Sequence, residues 1–507
     1  MFRTHNCGQL SIENINENII LCGWIYKIRK YKKIIFIDLK DFYGITQIII
    51  NKKYNDLKIN YLIKIKGIVK KRKFNNSKLQ TGDIEIIVNN IFILNKNFLD
   101  IYKFNKNDLL NNRYINFRNN DFFKIIMLKN RMLFLIRNYL YKKKIMEIDT
   151  PILSNYFSKG GSTLFNVKVN GKKIYELVQS PQIFKQLLII GGIDKYYQIA
   201  KCFRNESYRQ DRQIEFHQID FEFSFIKKKE IIKFSKKFIN YIFINIFKKN
   251  IKKFQFITYN KVIKKYGTDK PNLFFNIKIR KIIKKNIYLY FKINIIKYII
   301  NIKNLLFIIN KCNILKKELI YLVYKNKNYI NKKLKKILNF KKKYVYIVFK
   351  YINKIIYLKI GQLINEIIFF LKKNIIYNKY YPIWILDYPL FKNKNNKYIC
   401  FHNPFTSPKN LNNITYKSKS KSYDLVINGI EIASGSIRIN NYKIQNLIFH
   451  MLKYKKKKIK KYFYYILNAL KFSAPPHGGI AFGFERILSL IFNKDIYNII
   501  PFPKKKI

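Results

Sequence analysis

Between positions 19 and 94, apolar residues alternate with polar ones or gather in short β-branched runs. The segments 19–29, 34–41, 45–50, 62–73 and 83–94 therefore read as strands, with Asp41-Phe42-Tyr43-Gly44 as the turn between the second and third. Five strands in under a hundred residues predict a small closed barrel. After a linker through 105–112, Asn119-Asn120-Asp121 offers helix caps. Phe122, Ile125, Ile126, Met132, Leu133, Ile136 and Leu140 then recur at helical spacing. An extended segment follows and ends at Pro151. In the strand 214–225, Phe216, Gln218, Asp220 and Glu222 share one face; Ile219, Phe221, Phe223 and Phe225 share the other, which reads as core. Nearly all the Gly, Pro and patterned polar residues lie in 155–225 and 380–500. The stretch between them is Lys-, Ile-, Asn- and Tyr-rich. It reads either as a domain inserted between two halves of another or as drifted surface helix.

The pattern thus predicts an α+β chain. Residues 1–104 form a barrel of the oligonucleotide-binding type. A domain of antiparallel sheet flanked by helices is split into 105–255 and 379–507 around a degenerate insert, 256–378. Composition adds little to this. The 507 residues carry 101 Lys and Arg against 28 Asp and Glu, a net +73, which favours polyanions. The same Lys-rich bias runs through segments without motifs, so charge supports nucleic-acid contact only weakly. Five scattered cysteines suggest neither a disulfide framework nor a zinc site and fit a reducing compartment. Lys interrupts every Ile-rich run before membrane-spanning length, so a cytoplasmic protein without membrane contact is expected.

Against this basic background, four polar constellations stand out. Ser180-Pro181 opens a helix in which Gln182 and Lys185 share a face near the positive end, and Gly191 can close it. It is either an anion-accepting terminus or a capped surface helix. Cys202-Phe203-Arg204-Asn205-Glu206 precedes the 214–225 strand, whose polar face gathers acids in a chain poor in them. Asn428-Gly429 signals a two-residue hairpin pairing Ile427 with Ile430 and Val426 with Glu431. Asp424 and Glu431 then share a face, either with a cation such as magnesium between them or as solvated acids. Strict alternation puts Arg438 on the other face; a bulge at Ser434-Gly435 would bring it round. Finally, Gly478 to Leu488 reads as strand, glycine bend and helix, with Arg486 near the helix start: an anion site or an ordinary junction.

In this order, these segments resemble the three motifs of the class II aminoacyl-tRNA synthetases. The first is the helix from Asp121 to the strand ending at Pro151, the second Phe203-Arg204-Asn205-Glu206 through Asp220, and the third Gly483-Phe484-Glu485-Arg486. The similarity is greatest to the bacterial aspartyl enzymes, through Arg3-Thr4-His5-Asn6-Cys7-Gly8, Leu21-Cys22-Gly23-Trp24, Phe36-Ile37-Asp38-Leu39, Gln179-Ser180-Pro181-Gln182, His402-Asn403-Pro404-Phe405-Thr406-Ser407-Pro408 and Ala474-Pro475-Pro476-His477. The resemblance implies ATP-dependent joining of L-aspartate to tRNA, with ATP as substrate, Mg2+ as cofactor, and a homodimer built through the first motif. It implies that Arg204 and Arg486 grip the α- and γ-phosphates and that the Phe216 ring stacks on adenine. Asn205, Glu206, Gln213, Gly483, Phe484 and Glu485 complete the nucleotide site, and Asp424 and Glu431 hold magnesium with ATP. Gln182, Lys185, Arg204, Gln218, Asp220, His402 and Arg438 line the aspartate pocket; Arg29, Phe36 and Gln47 meet the anticodon. Arg204, Arg486 and Glu431 carry the catalysis.

The chain departs from that family at several points. Lys159-Gly160-Gly161-Ser162 stands where a mobile loop usually offers Glu; Asn403 replaces a second histidine; Ala433-Ser434 replaces a glycine-rich stretch. The chain stops at Pro501-Phe502-Pro503-Lys504 where relatives continue with a tail, and the insert keeps little of the family pattern. Competing readings are an asparaginyl- or lysyl-tRNA synthetase, or a non-catalytic tRNA-binding relative. Lys185 with Arg438 argues against the first two, and the intact Arg204, Glu206, Asp424, Glu431 and Arg486 against the third. Charging of tRNA(Asn) as well as tRNA(Asp) stays open.

Overall fold

The computed structural model describes all residues except 32–33, 55, 78, 100–103, 155–163, 206–211, 284–286, 295–301, 312–318, 324–343, 373–376 and 505–507. It divides into two units, Met1–Asn112 and Arg113–Ile507.

In the first unit, Asn18–Lys30, Ile34–Lys40, Ile45–Asn51, Ile84–Asn95 and Leu62–Lys71 close a barrel in that spatial order. Its interior takes every second residue: Ile19, Leu21 and Ile25 from one strand, Ile35, Ile37 and Leu39 from the next, Ile84 and Ile86 from the last. The outer face carries Arg29, Phe36, Asp38 and Gln47 in register, Arg29 opposite Phe36 and Asp38 opposite Gln47.

The second unit is built on an eight-stranded sheet in the order Gln255–Thr258, Pro382–Leu386, Ser422–Ile427, Ile430–Ile437, His477–Gly483, Glu215–Ser224, Lys195–Phe203, Met146–Glu147. Its middle is antiparallel, and both edge strands pair in parallel. The helix Asn120–Lys142 starts where the caps predict: the Asn119 side chain accepts from the Asp121 N–H. Its Ile125, Met132, Ile136 and Leu140 enter one hydrophobic cluster with Ile219, Phe221, Phe223, Ile480 and Phe482 of the sheet.

The central segment forms a four-stranded sheet, Arg280–Ile283, Ile287–Asn294, Tyr344–Lys350 and Leu319–Val323, with helices Ile302–Lys311 and Ile355–Lys372. Leu289, Phe291, Val345, Ile347 and Phe349 join the same cluster as the eight-stranded sheet. Gln255–Thr258 is an edge strand of the larger sheet, so that sheet continues past the boundary expected at 256.

Two local expectations are corrected. Phe225 is not core: the strand ends at Ser224, and Phe225 turns to a positive φ of 49° with its ring exposed. The helix after Ser180 begins at Gln182 with Pro181 as its cap, because the first helical bond runs from the Lys185 N–H to the Pro181 carbonyl.

Candidate active site

The hairpin forms in the expected register: Asn428 and Gly429 take positive φ (47° and 84°), Ile427 pairs with Ile430 and Val426 with Glu431. The anticipated bulge exists but lies earlier. Val426 pairs with Glu431 and Leu425 with Ala433, so Ile432 is the extra residue, not Ser434 or Gly435. One inserted residue restores the parity that strict alternation denied. Arg438 thereby comes to the face that carries Asp424 and Glu431.

There it enters a buried ion cluster. Arg438 Nε and Nη2 donate to Glu222 Oε1 and Oε2 at 2.8 and 3.0 Å, and Nη1 donates to Ser436 Oγ at 2.6 Å. Among the described residues, three of the five guanidinium N–H donors are used and two remain. Lys185 Nζ lies 2.8 Å from Asp220 Oδ1, 3.0 Å from Glu222 Oε2 and 3.2 Å from the Phe221 carbonyl. It donates hydrogen bonds to Asp220 and to the Phe221 carbonyl and pairs in charge with Glu222, so in this state it holds the two carboxylates. Asp220 Oδ2 is buried with no hydrogen-bond partner among the described residues, a spare acceptor beside two cations. Burial pushes the Asp220 pKa up despite Lys185.

Next to this cluster runs a chain of amides. His477 Nδ1 lies 2.8 Å from the Pro475 carbonyl, which can only accept, so Nδ1 carries a proton. Burial lowers the His477 pKa, keeping the ring neutral and Nε2 an acceptor. Gln186 Nε2 is 3.1 Å from it, and Gln182 Nε2 donates to Gln186 Oε1 at 3.0 Å. The polarity of the chain spends an N–H of Gln182 inward and leaves its carbonyl oxygen unspent among the described residues.

A cleft opens beyond, lined by Arg204, Arg212, Gln213, Phe216, His217, Gln218, Lys270, Glu431, Gly483 and Arg486 among others. The Arg204 guanidinium sits over the Phe216 ring, 4.9 Å from its centroid. Arg486 Nη1 lies 3.3 Å from Glu431 Oε1, and Lys270 Nζ 2.9 Å from Glu431 Oε2. Burial raises the Glu431 pKa, but Lys270 and Arg486 outweigh it and hold the carboxyl at about 2. His402 Nε2 is 3.5 Å from Asp424 Oδ2; burial works against its protonation, yet Asp424 raises its pKa overall.

Several expected nucleotide contacts take other places. Phe484 is fully buried in the core cluster, so its ring supports the helix and does not line the cleft. Glu485 reaches the cleft wall, but its carboxylate is engaged: it accepts from the His217 N–H at 2.9 Å and lies 2.8 Å from His217 Nδ1 and 3.5 Å from Lys129 Nζ. Asn205 is exposed and outside the lining. Glu206, and Lys159 with its neighbours, lie outside the described residues.

Residues 105–506 match the family model "tRNA synthetases class II (D, K and N)", and 19–94 match "OB-fold nucleic acid binding domain". The aspartate–tRNA ligase of Buchnera aphidicola subsp. Schizaphis graminum is 36% identical over 99% of this chain and 95% of its own length. This chain belongs to the aspartate–tRNA ligase family of the class II tRNA synthetases. The aspartate–tRNA ligase of Mycoplasma mycoides subsp. mycoides is 35% identical over 100% of this chain and 96% of its own. Among solved structures, the asparaginyl-tRNA synthetase of Pyrococcus horikoshii, complexed with asparaginyl-adenylate, shares the fold with a TM-score of 0.66 at 18% identity, covering 99% of this chain and 98% of that one.

Within this class II frame, the sequence reading missed three contributors. Glu222 appeared only as one acid on a polar face, although its spacing from Asp220 was visible. Lys270 and Asp269 lie in the segment assigned to the insert and carried no motif signal. Asp269 is near Asp424 and Glu431; burial is the largest of the causes that raise its pKa.

The Glu222 pairing predicts a pH response. Burial would raise the Glu222 pKa, but Arg438 and Lys185 outweigh it and hold it at about 2, against an ordinary 4.5. A carboxyl depressed by folding contributes stability that is complete above the unfolded value and disappears as pH falls through the folded one. Denaturant titrations between pH 4.5 and 2 should therefore show the parent losing stability more steeply than Glu222→Gln, which has nothing to titrate there. Equal slopes would contradict the pairing.

Proposed function

We propose that the ion cluster receives aspartate and the neighbouring cleft receives ATP, so that this aspartate–tRNA ligase family member activates aspartate and transfers it to tRNA. The observation carrying this reading is the arrangement of Arg438, Glu222, Lys185 and Asp220. The two remaining Arg438 donors suit a substrate side-chain carboxylate. Asp220 Oδ2 and the Gln182 carbonyl suit its ammonium. Arrival of that ammonium favours the ionised form of Asp220, whose pKa burial raises.

In the cleft, adenine stacks on Phe216 and Arg204 meets the α-phosphate, with Arg486 on the γ-phosphate. Gln213 and Gln218 line the same wall. An α-carboxylate oxygen of aspartate attacks the α-phosphorus, and the bond to the bridging oxygen breaks with release of pyrophosphate. A ribose hydroxyl of the tRNA end then attacks the mixed anhydride and expels AMP. No protein nucleophile is required; alignment and charge neutralisation supply the rate.

Asp424 and Glu431 would hold magnesium once the nucleotide draws a cation away from Glu431, both of whose oxygens carry one here. Asp424 Oδ1 is buried without a hydrogen-bond partner among the described residues. Two carboxylates hold Mg2+ adequately only together with phosphate oxygens; bound there, the ion would neutralise the polyphosphate. In the barrel, Arg29 pairs with Asp38 at 2.6 Å and reaches Gln47 at 3.0 Å, a fixed polar patch beside Phe36 suited to the anticodon. Phe134 and Tyr141, exposed on the long helix, support a homodimer contact there. Among the described residues no helix is long and apolar enough to cross a membrane, and the reading places the protein in the cytoplasm.

ATP–pyrophosphate exchange with aspartate, asparagine and lysine tests the assignment. Two charged hydrogen bonds are worth about 1.5–3 kcal/mol each, so aspartate should exceed asparagine by roughly 10²–10⁴-fold, with no exchange on lysine. Equal or faster exchange with asparagine or lysine would refute it.

A further inference from the structure

Glu431 carries a cation on each oxygen: Arg486 Nη1 on Oε1 and Lys270 Nζ on Oε2. Two cations thus converge on one carboxylate, with Asp269 and Asp424 nearby. The cleft wall as a whole bears Arg204, Arg212, Lys270 and Arg486 against Glu431 and Glu485, and Glu485 is already engaged by Lys129 and His217. Lys270 also borders a second cavity that shares Glu431 and Arg486 with the first and adds Lys372. It therefore stands where the two cavities meet, with a side chain about one-third exposed (34%).

The backbone around it is held on both sides. The helix Tyr259–Tyr266 ends at Gly267, and the Lys270 N–H donates to Thr268 Oγ1 at 3.1 Å. Beyond Pro271, Asn272 is buried, donates to the Tyr377 hydroxyl at 2.9 Å, and packs under the hairpin turn at Gly429. An exposed ion pair on a free loop would be worth little. A lysine anchored this way is preorganised towards the cleft at small entropic cost.

We propose that Lys270 is a polyphosphate-binding residue of this cleft, taking the pyrophosphate end of the nucleotide as it leaves the α-phosphorus. This rests on the reading of the cleft as the ATP site. When phosphate oxygens arrive, Lys270 shifts its ion pair from Glu431 to them. It transfers no proton; it offsets the charge that builds on the departing pyrophosphate as the bond from the α-phosphorus breaks.

The test uses the full-length chain with Lys270→Met and Lys270→Arg. Isothermal titration with inorganic pyrophosphate, without aspartate, gives its dissociation constant; exchange kinetics give KM for pyrophosphate and for aspartate. Loss of one charged hydrogen bond should weaken pyrophosphate binding on the order of tenfold in Lys270→Met, with a matching rise in its KM. Lys270→Arg should recover most of the loss, and the aspartate KM should stay within about twofold in both variants, a separation that loss of a purely structural pair with Glu431 would not produce. Pyrophosphate binding by Lys270→Met within twofold of the parent, no pyrophosphate binding by the parent, or a rise in aspartate KM equal to that for pyrophosphate would overturn the proposal. A parent that binds pyrophosphate but shows no aspartate-dependent exchange would sink the aspartate reading, and the titration series alone would then decide Lys270.

Discussion

Replacing Glu222 by Gln should destabilise the protein by about 3–5 kcal/mol, because it leaves buried cations short of a partner. Lys185 and Arg438 would share Asp220 alone, and Arg438 would lose the charge of the carboxylate that receives both its Nε and Nη2 bonds. The site offers no easy relaxation. Glu222 is opposite Gly479 on the next strand, and a side chain at 479 would overlap the Glu222 carboxylate. The space is cut for that group, so the amide inherits a tight socket lined by a guanidinium and an ammonium. Urea unfolding followed by circular dichroism at neutral pH measures the stability, and aspartate-dependent exchange should fall by at least ~10²-fold as Arg438 loses its orientation. Unchanged unfolding midpoints would mean the cluster is not the paired network described.

The second large effect is expected at Arg204. Arg204→Ala removes a guanidinium from the cleft wall and also the cation over Phe216. A donor aimed at charge that develops in the transition state is typically worth about 10²–10³ in kcat. Exchange should fall by that factor. Near-normal exchange would remove this cleft from the reaction.

Much of the architecture was legible because local pattern and tertiary environment agree. Alternation such as Ile19, Leu21, Ile25 can bury only one face, and a sheet that buries one face must close or be covered. Asn428-Gly429 imposed its own hairpin register, which placed Glu431 opposite Val426 with no long-range help. The segments of Arg204, Phe216 and Arg486 were marked by residue type and order, and the fold brings all three to one cleft. Phe484 was misjudged because membership of a motif does not say which way a side chain turns. On a helix start, adjacent residues Phe484, Glu485 and Arg486 point to core, to His217 and to the cleft respectively.

By itself, the sequence determined the barrel strands, the capped helix, the hairpin and the family, since each rests on short-range spacing or on contiguous motifs. Only the tertiary structure decided that Ile432 is the bulge that turns Arg438 inward, that Glu222 ties Arg438 to Lys185, and that Lys270 reaches Glu431. Those outcomes depend on which strands become neighbours and where a register slips by one residue. The Glu222–Arg438 and Lys270–Glu431 contacts join residues more than a hundred positions apart and leave no trace in local periodicity; the low dielectric of the buried sheet makes the Glu222 contact strong once it forms.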